Sequence, residues 1–471
     1  MENIIMQVLA KTQEAVMKKI HDRGLSDIGA VSEELLGILK NGVCELLRGI
    51  LEETDREIAD SRAMRKADGL KVKERGVERT VVLPVGEMRY RRTYYETDTG
   101  ERVYLLDHLV GIEPYERVSR ALCAKLVNYA VDASYSRSVK AAEASVSRQT
   151  VCNKVHGLKE VVTDVERLPE TPKVLHIFTD EDHVHLNNGK SVMVPIATIS
   201  EGIDDSNPKR HELIRPLHIT GYGMDAETFN DQVEACLNER YDINAVESIY
   251  VHGDGAARIV SLSERFPNAC HVLDGFHLEK YLKKLGHYEG ASQRIGALRT
   301  ALKEGKWGSC KKLLNAIYAL QDDKHKEKCR NVIGYLWKHR QAIQLRLSLD
   351  ICGSCTESIV SHVLSERLSR SPLAWSERGL QKIAMLRAYV KNGGVVSSKD
   401  IRVSLNKEDA KIESATLRNG WSKYNHYMEQ QIALILDTDW SSAFSSSPAP
   451  FGKVDAAFVI RKALGSMHSI A

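Results

Sequence analysis

Between Lys173 and Asp274, five apolar runs follow one another in an order that few folds use. Lys173 to Thr179 (KVLHIFT) reads as a strand that ends at Asp180, and Ser191 to Ile199 and Leu213 to Thr220 supply two more. All three are rich in β-branched residues, which favour the pleated backbone. A helix capped by Asp225 then covers Ala226 to Arg240. A fourth strand, Glu247 to His252, stops at Gly253-Asp254-Gly255, and a short helix follows to about Phe266. A fifth strand, Cys270 to Leu273, runs into Asp274. Three meandering strands and then helix, strand, helix, strand predict a sheet whose first three strands are antiparallel. The crossovers add parallel neighbours to the first strand.

That is the element order of an RNase H-like core, in which the first and fourth strands are adjacent. Asp180 and Asp254 are therefore expected side by side. Metal-assisted phosphodiester chemistry needs such a cluster, because hard divalent cations prefer oxygen ligands and a pair of them stabilises the attacking and leaving oxygens. Glycines on both sides of Asp254 let the chain turn and let a substrate come close. Asp182, two residues after Asp180 and on the same strand face, is a reserve for the first carboxylate, while His183 and His185 point to the other face. The third acid has to come from a helix packed on the sheet. Glu357 opens an amphipathic one, ESIVSHVLSERL, whose apolar side is Ile359, Val360, Val363, Leu364 and Leu368. Glu366 lies further along it and reads as solvated.

With 471 residues, the chain has room for two to four folding units. Residues 1–70 read as helical, with Leu36, Leu39, Val43, Leu47 and Ile50 forming one apolar stripe. Residues 71–112 read as a small β-rich segment, with turn signals at Val85-Gly86 and Asp98-Thr99-Gly100. One of its strands carries Arg89, Arg91 and Arg92 among Tyr90, Tyr94 and Tyr95. That mixture suits phosphate contacts and stacking on DNA, or else forms one solvated basic face. Residues 113–165 hold a helix-turn-helix pattern. In it Ser147 caps the second helix, and Ser147, Arg148, Gln149 and Asn153 are the exposed candidates for reading DNA. After a linker at Glu166 to Pro172, the catalytic domain spans 173–289 and 351–436, interrupted by an all-helical insertion at 290–350. Ala291 to Asp350 carries thirteen Lys and Arg against five Asp and Glu. Residues 437–471 read as a low-complexity tail.

The net charge of +3 does not mark a nucleic-acid binder, so that argument rests on local clustering. No apolar run reaches eighteen residues, which argues against a membrane span; a cytoplasmic, nucleoid-associated location is what is expected of a chain that works on DNA. Nine scattered cysteines read as reduced thiols. Cys352 and Cys355 have CxxC spacing but no second pair to complete a zinc site.

Four motifs, FTDEDHVHL around Asp180, YVHGDGA around Asp254, DGFHLEKY at 274–281 and ESIVSHVLSERLSRSPLAWSERG at 357–379, resemble DDE transposases of bacterial insertion sequences. The similarity is to the ISLre-two family, more distantly to the Mutator-like group, and spans nearly the whole chain. Ala374, in RSPLAWS, departs from the glycine expected in that stretch. The resemblance implies that Asp180, Asp254 and Glu357 hold two Mg²⁺ or Mn²⁺ ions, and that Asp274 and His277 form a supporting pair near the site. It also implies double-stranded DNA, both element ends and target, as the substrate, and a homo-oligomer as the active form. A nuclease or resolvase on the same fold, or a DNA-binding protein without catalysis, are the alternatives.

Overall fold

The computed structural model describes residues 2–23, 27–158, 163–204, 206–207, 212–349, 355–370 and 374–401. Cys352, the end of the last helical stretch and the tail expected at 437–471 lie outside them. The described residues form two compact units. One comprises the chain up to Lys125 together with Val139–Ser147 and Ile401, and the other comprises Leu126–Ser138 and Arg148–Asp400.

In the first unit, helices α1 (Glu2–Arg23) and α2 (Ile28–Asp60) pack on each other. After α3 (Arg62–Ala67) come strands β1 (Lys71–Leu83), β2 (Gly86–Glu96) and β3 (Arg102–Val103), then α4 (Leu105–Leu109). The strands form an antiparallel sheet in the order β1-β2-β3, and α2 lies along β2. The predicted helical stripe divides: Leu47 packs on Val81, Met88, Tyr90 and Leu106, whereas Leu36, Leu39 and Val43 stay exposed. β1 starts eight residues before the apolar run at Arg79. Its pairing with β2 shifts register between Val72 and Val77, and Gly76 has φ +74°, so this stretch lacks the alternation by which a strand is recognised.

Alternation also separates the arginines of β2. Arg89 and Arg91 are exposed on one face. Arg92 points the other way and is buried, contrary to its expected DNA-facing role. It pairs with Asp107, and its guanidinium lies over the Tyr104 ring at 3.5 Å. Asp107 also accepts a hydrogen bond from Tyr90 Oη at 2.7 Å and faces Arg79 at 3.7 Å. Arg92 is therefore part of the core of this unit.

Helix α5 (Arg120–Asp132) leads to α6 (Tyr135–Ala141) and α7 (Arg148–Gly157), the two short helices of the predicted helix-turn-helix. The second unit then builds β4 (Val174–His185), β5 (Ser191–Ser200), β6 (Ile203–Asp204), β7 (Glu212–Leu213), β8 (Leu217–Thr220), α8 (Ala226–Arg240), β9 (Ser248–Gly253), α9 (Ala257–Glu264), β10 (Ala269–Leu273) and α10 (Gly275–Gly286). Its main sheet has the order β10-β9-β4-β5-β8. β5 is antiparallel to β4 and β8, while β9 is parallel to β4 and β10. The strand expected over Leu213 to Thr220 is split: Arg215 adopts φ +45° ahead of Pro216, so β7 pairs with β6 and only β8 joins the sheet. One sheet face, with Leu175, Ile177, Ile199 and Val251, buries Phe229 and Val233 of α8 and Ile259 and Leu262 of α9.

Helices α11 (Ile295–Lys303), α12 (Trp307–Ala319), α13 (Asp323–Lys338) and α14 (Arg340–Ser348) share a second core with Leu278, Leu282 and Leu285 of α10. A helix then runs from Thr356 to Leu368 as α15 (Thr356–Ile359), a π-helical stretch (Val360–Ser365) and α16 (Glu366–Leu368). Helix α17 (Glu377–Lys391), capped by Ser376, packs against β8.

From α17 the Arg387 side chain, only 1% exposed, reaches the π-helical stretch. Its Nε donates to the Val363 carbonyl and its Nη2 to the His362 carbonyl, both at 2.5 Å, while Nη1 pairs with Asp132. A buried guanidinium is tolerated only with its donors engaged in this way, and removing it orphans two carbonyls, while the exposed Asp132 carboxylate turns to water. Arg387→Ala should lower unfolding free energy by about 2–4 kcal/mol in chemical denaturation. Arg387→Lys, which cannot fork between two carbonyls, should recover less than half of that.

Candidate active site

Strands β4, β9 and β10 run parallel and bring three aspartates to the same end of the sheet. Phe178 pairs with His252 and Gly253 with Leu273, so Asp180, Asp254 and Asp274 come from neighbouring strands at nearly one level. The carboxyl ends of parallel strands are where such sheets place their ligands. Gly253 is required for this closeness, because a Cβ there would meet the Thr179 carbonyl oxygen at 2.8 Å. Gly255 turns the chain away with φ +83°.

Each of the first two acids is half-buried and held by one oxygen. Asp180 Oδ1 accepts the Glu181 amide at 3.0 Å, and Asp254 Oδ1 accepts the Ala256 amide at 2.8 Å. Their Oδ2 atoms have no hydrogen-bond partner among the described residues. Arg258, which sequence reasoning missed, secures the Asp180 backbone: it donates to Thr179 Oγ1 at 2.9 Å and to the Asp180 carbonyl at 3.4 Å, and lies 3.5 Å from Glu181. Burial pushes the Asp180 carboxyl up to about 6. The charges of Asp254 and Glu181 push the same way, and the Glu181 amide and His277 pull back.

Asp274 is buried and works as a joint. Its Oδ2 caps α10 through the Phe276 and His277 amides and lies 3.4 Å from His277 Nδ1. Its Oδ1 accepts from Thr356 Oγ1 at 3.1 Å, which ties the first turn of the Thr356–Leu368 helix to the end of β10. Burial opposes protonation of His277. The charges of Asp274, Asp180 and Asp254 outweigh it and raise its pKa above the ordinary value.

Glu357 follows Thr356 in that first turn and is exposed. Glu366 is held elsewhere, 2.7 Å from His362 Nδ1 and within 3.7 Å of Arg370 and Arg387. The reserve acid Asp182 is buried with both oxygens accepting from Ser369 Oγ, at 2.9 and 3.0 Å, so it fastens the far end of the same helix to β4. His183 and His185 are exposed on the opposite face. Among the described residues, no three His, Cys, Asp or Glu side chains are grouped so as to hold one ion. Asp180 and Asp254 together offer a hard cation two oxygen ligands on adjacent strands. Glu357 is not gathered with them.

A family model described as an uncharacterised protein family (UPF0236) matches residues 24–403. The chain belongs to this family. One UPF0236 protein of Caldanaerobacter subterraneus subsp. tengcongensis is 31% identical over 405 residues, 83% of this chain and 84% of the relative. Its name joins eleven locus designations of that strain. A second from the same strain, 31% identical over 404 residues and again covering 83% and 84%, joins four. A Streptococcus gallolyticus member, named for the vanSb 3′ region, is 25% identical over 388 residues, 78% of this chain and 83% of the relative.

In this UPF0236 chain the other predicted contact residues are at the surface. Ser147, Arg148, Gln149 and Asn153 are exposed, and Gln149 Nε2 donates to Asn153 Oδ1 at 2.9 Å within α7. Arg89 lies 3.1 Å from Glu87, and Arg91 is 4.0 Å from Glu78. No described helix is long and apolar enough to cross a membrane.

The raised Asp180 pKa has a testable sign. The folded value, about 6, exceeds the unfolded value near 3.8, so the folded state holds the proton more tightly and stability falls as pH rises through that window. Above it the ionised carboxylate weakens the fold. Asp180→Asn should therefore raise stability at pH 8 by about 1–2 kcal/mol, after solvent screening, and leave it nearly unchanged at pH 4. Calorimetric melting at the two pH values measures this, and an equal shift at both would refute the assignment.

Proposed function

We propose that this protein is a DDE-type transposase that cuts the ends of a mobile DNA element and joins them to a target. The observation that carries the reading is the pair Asp180 and Asp254 on adjacent parallel strands, each with one oxygen bound to an amide and the other open. The strand order β10-β9-β4-β5-β8, with two parallel additions to an antiparallel trio, agrees with the order expected of an RNase H-like core and supports the same reading. The helices α11–α14, which fall between the second and third acids, take the place of the expected insertion. Relatives whose single name covers eleven or four loci of one genome fit a gene that multiplies by moving.

Asp180 and Asp254 would hold Mg²⁺ or Mn²⁺, which supplies Lewis-acid polarisation of the scissile phosphate and acidifies the attacking hydroxyl. The chain's own groups set the stage for this. Arg258 and the Glu181 amide fix the carboxylate of Asp180, and the Ala256 amide fixes that of Asp254. Asp274 keeps the turn that carries Glu357 at the end of β10 through Thr356, and Glu357 would complete the set when DNA arrives. Arg89 and Arg91 on β2, and the exposed start of α7, supply contacts to phosphates and base edges.

The decisive assay offers DNA bearing the element's flanking ends with Mg²⁺ or Mn²⁺. Wild type should cleave and join, whereas Asp254→Asn should bind the DNA equally but lose at least about 10³-fold in cleavage, the several kcal/mol that metal-assisted charge stabilisation supplies. Cleavage without joining would indicate a nuclease instead, and full activity in the variant would remove Asp254 from the site. Separately, Arg89→Ala with Arg91→Ala should weaken DNA binding evenly across sequences and lower the salt dependence by about one unit per arginine.

A further inference from the structure

The turn that carries Asp254 is gripped by a helix far from it in sequence. Tyr335, on α13, donates its hydroxyl to the Asp254 carbonyl oxygen at 2.5 Å. Its ring is stacked on Tyr281 of α10, with centroids 3.6 Å apart and planes within 5° of parallel. One helical turn later, His339 closes the underside: its ring centroid lies 4.7 Å from Tyr335 and 5.9 Å from His271 of β10. A Cβ at Gly255 would meet His339 Cε1 at 2.4 Å, so the turn and the imidazole fill one space. The aromatic pair fixes where the Tyr335 hydroxyl can be, and the hydroxyl fixes the peptide that aims Asp254.

We infer that Tyr335 is a positioning residue for Asp254: its hydroxyl holds the Gly253-Asp254-Gly255 turn so that Asp254 Oδ2 stays beside Asp180 for a divalent cation. The inference rests on the transposase reading for its chemistry and extends it, since it makes the basic helical segment α11–α14 a structural part of the catalytic turn. An aspartate on a glycine-flanked turn is otherwise free to drift, because glycine leaves the backbone broad conformational latitude. The Ala256 amide fixes the side-chain rotamer only after the turn itself is set. A single hydrogen bond with this role is worth a few-fold to about tenfold in affinity for whatever Asp254 holds.

The test uses the full chain with Tyr335→Phe, which keeps the stacked ring, and Tyr281→Phe, which removes a hydroxyl from the same ring pair but none from Asp254. Mn²⁺ affinity is measured without DNA by electron paramagnetic resonance, and the Mg²⁺ concentration for half-maximal cleavage is measured with DNA. Tyr335→Phe should weaken Mn²⁺ binding and raise the Mg²⁺ requirement by about 3- to 10-fold, with melting temperature and DNA affinity as in wild type. Tyr281→Phe should match wild type throughout. Equal effects in the two variants, no effect in Tyr335→Phe, or a Tyr335→Phe protein too unstable to assay would each overturn the inference. A wild-type protein that binds Mn²⁺ but never cuts DNA would sink the transposase reading alone. In that case the Mn²⁺ comparison still decides the role of Tyr335.

Discussion

Everything around the site depends on three neighbouring strands that point the same way and bring their aspartates to nearly one level, β9 and β10 ending there while β4 runs on to His185. Parallel strands leave their last carbonyls and first loop amides at a common edge, and here that edge receives Asp180, Asp254 and Asp274 in adjacent lanes. Three carboxylates so close would repel one another strongly in a half-buried place. The fold answers each differently. Asp274 is consumed by the α10 cap and by Thr356, and the positive tendency of His277 draws on all three. Asp180 and Asp254 have only one oxygen each committed to an amide. Burial, with the charges of Asp254 and Glu181 adding to it, holds the Asp180 carboxyl above its ordinary pKa.

The helix from Thr356 to Leu368 is positioned by acids of the same sheet. Asp274 binds its first residue and Asp182 binds Ser369 just past its end, while Arg387 holds the carbonyls of its π-helical middle. A π-helical stretch widens the helix and re-aims the residues on either side, which is why such stretches concentrate near functional sites. Here it leaves Glu366 among His362, Arg370 and Arg387 on one side and Glu357 open on the other. Glu366 is thus engaged by three basic groups, whereas Glu357 is exposed.

The element order was legible because most strands of the main sheet are short apolar runs bounded by a turn or cap, and because α8 begins at the expected capping aspartate; β4 is the exception, running past its expected end at Asp180 to His185 because it stays paired with β5. The placement of Asp180 beside Asp254 followed from that order. What was not legible came from long-range pairing. Asp182 reads like a ligand until Ser369, 187 residues away, takes both its oxygens. Arg92 reads like its neighbours Arg89 and Arg91 until Asp107 claims it from the other face of β2. The break at Arg215 had a weak local signal in the following proline, which restricts the residue before it. Arg258 and Tyr335 had none, since nothing near them in sequence announces a carbonyl to be held.

That asymmetry follows from how the two kinds of residue are specified. Asp254 and Asp274 follow strand ends, Asp254 in a glycine turn, where local pattern is strongest. The groups that aim those acids come from whichever helix packs nearby, and are fixed only by tertiary contact. Tyr335 and His339 come from the segment that carries thirteen basic against five acidic residues. A helix bundle that met DNA on its outer side while touching the Asp254 turn on its inner side would feel both at once. The contact through Tyr335 therefore joins this basic segment to the Asp254 turn, beyond the charge it carries.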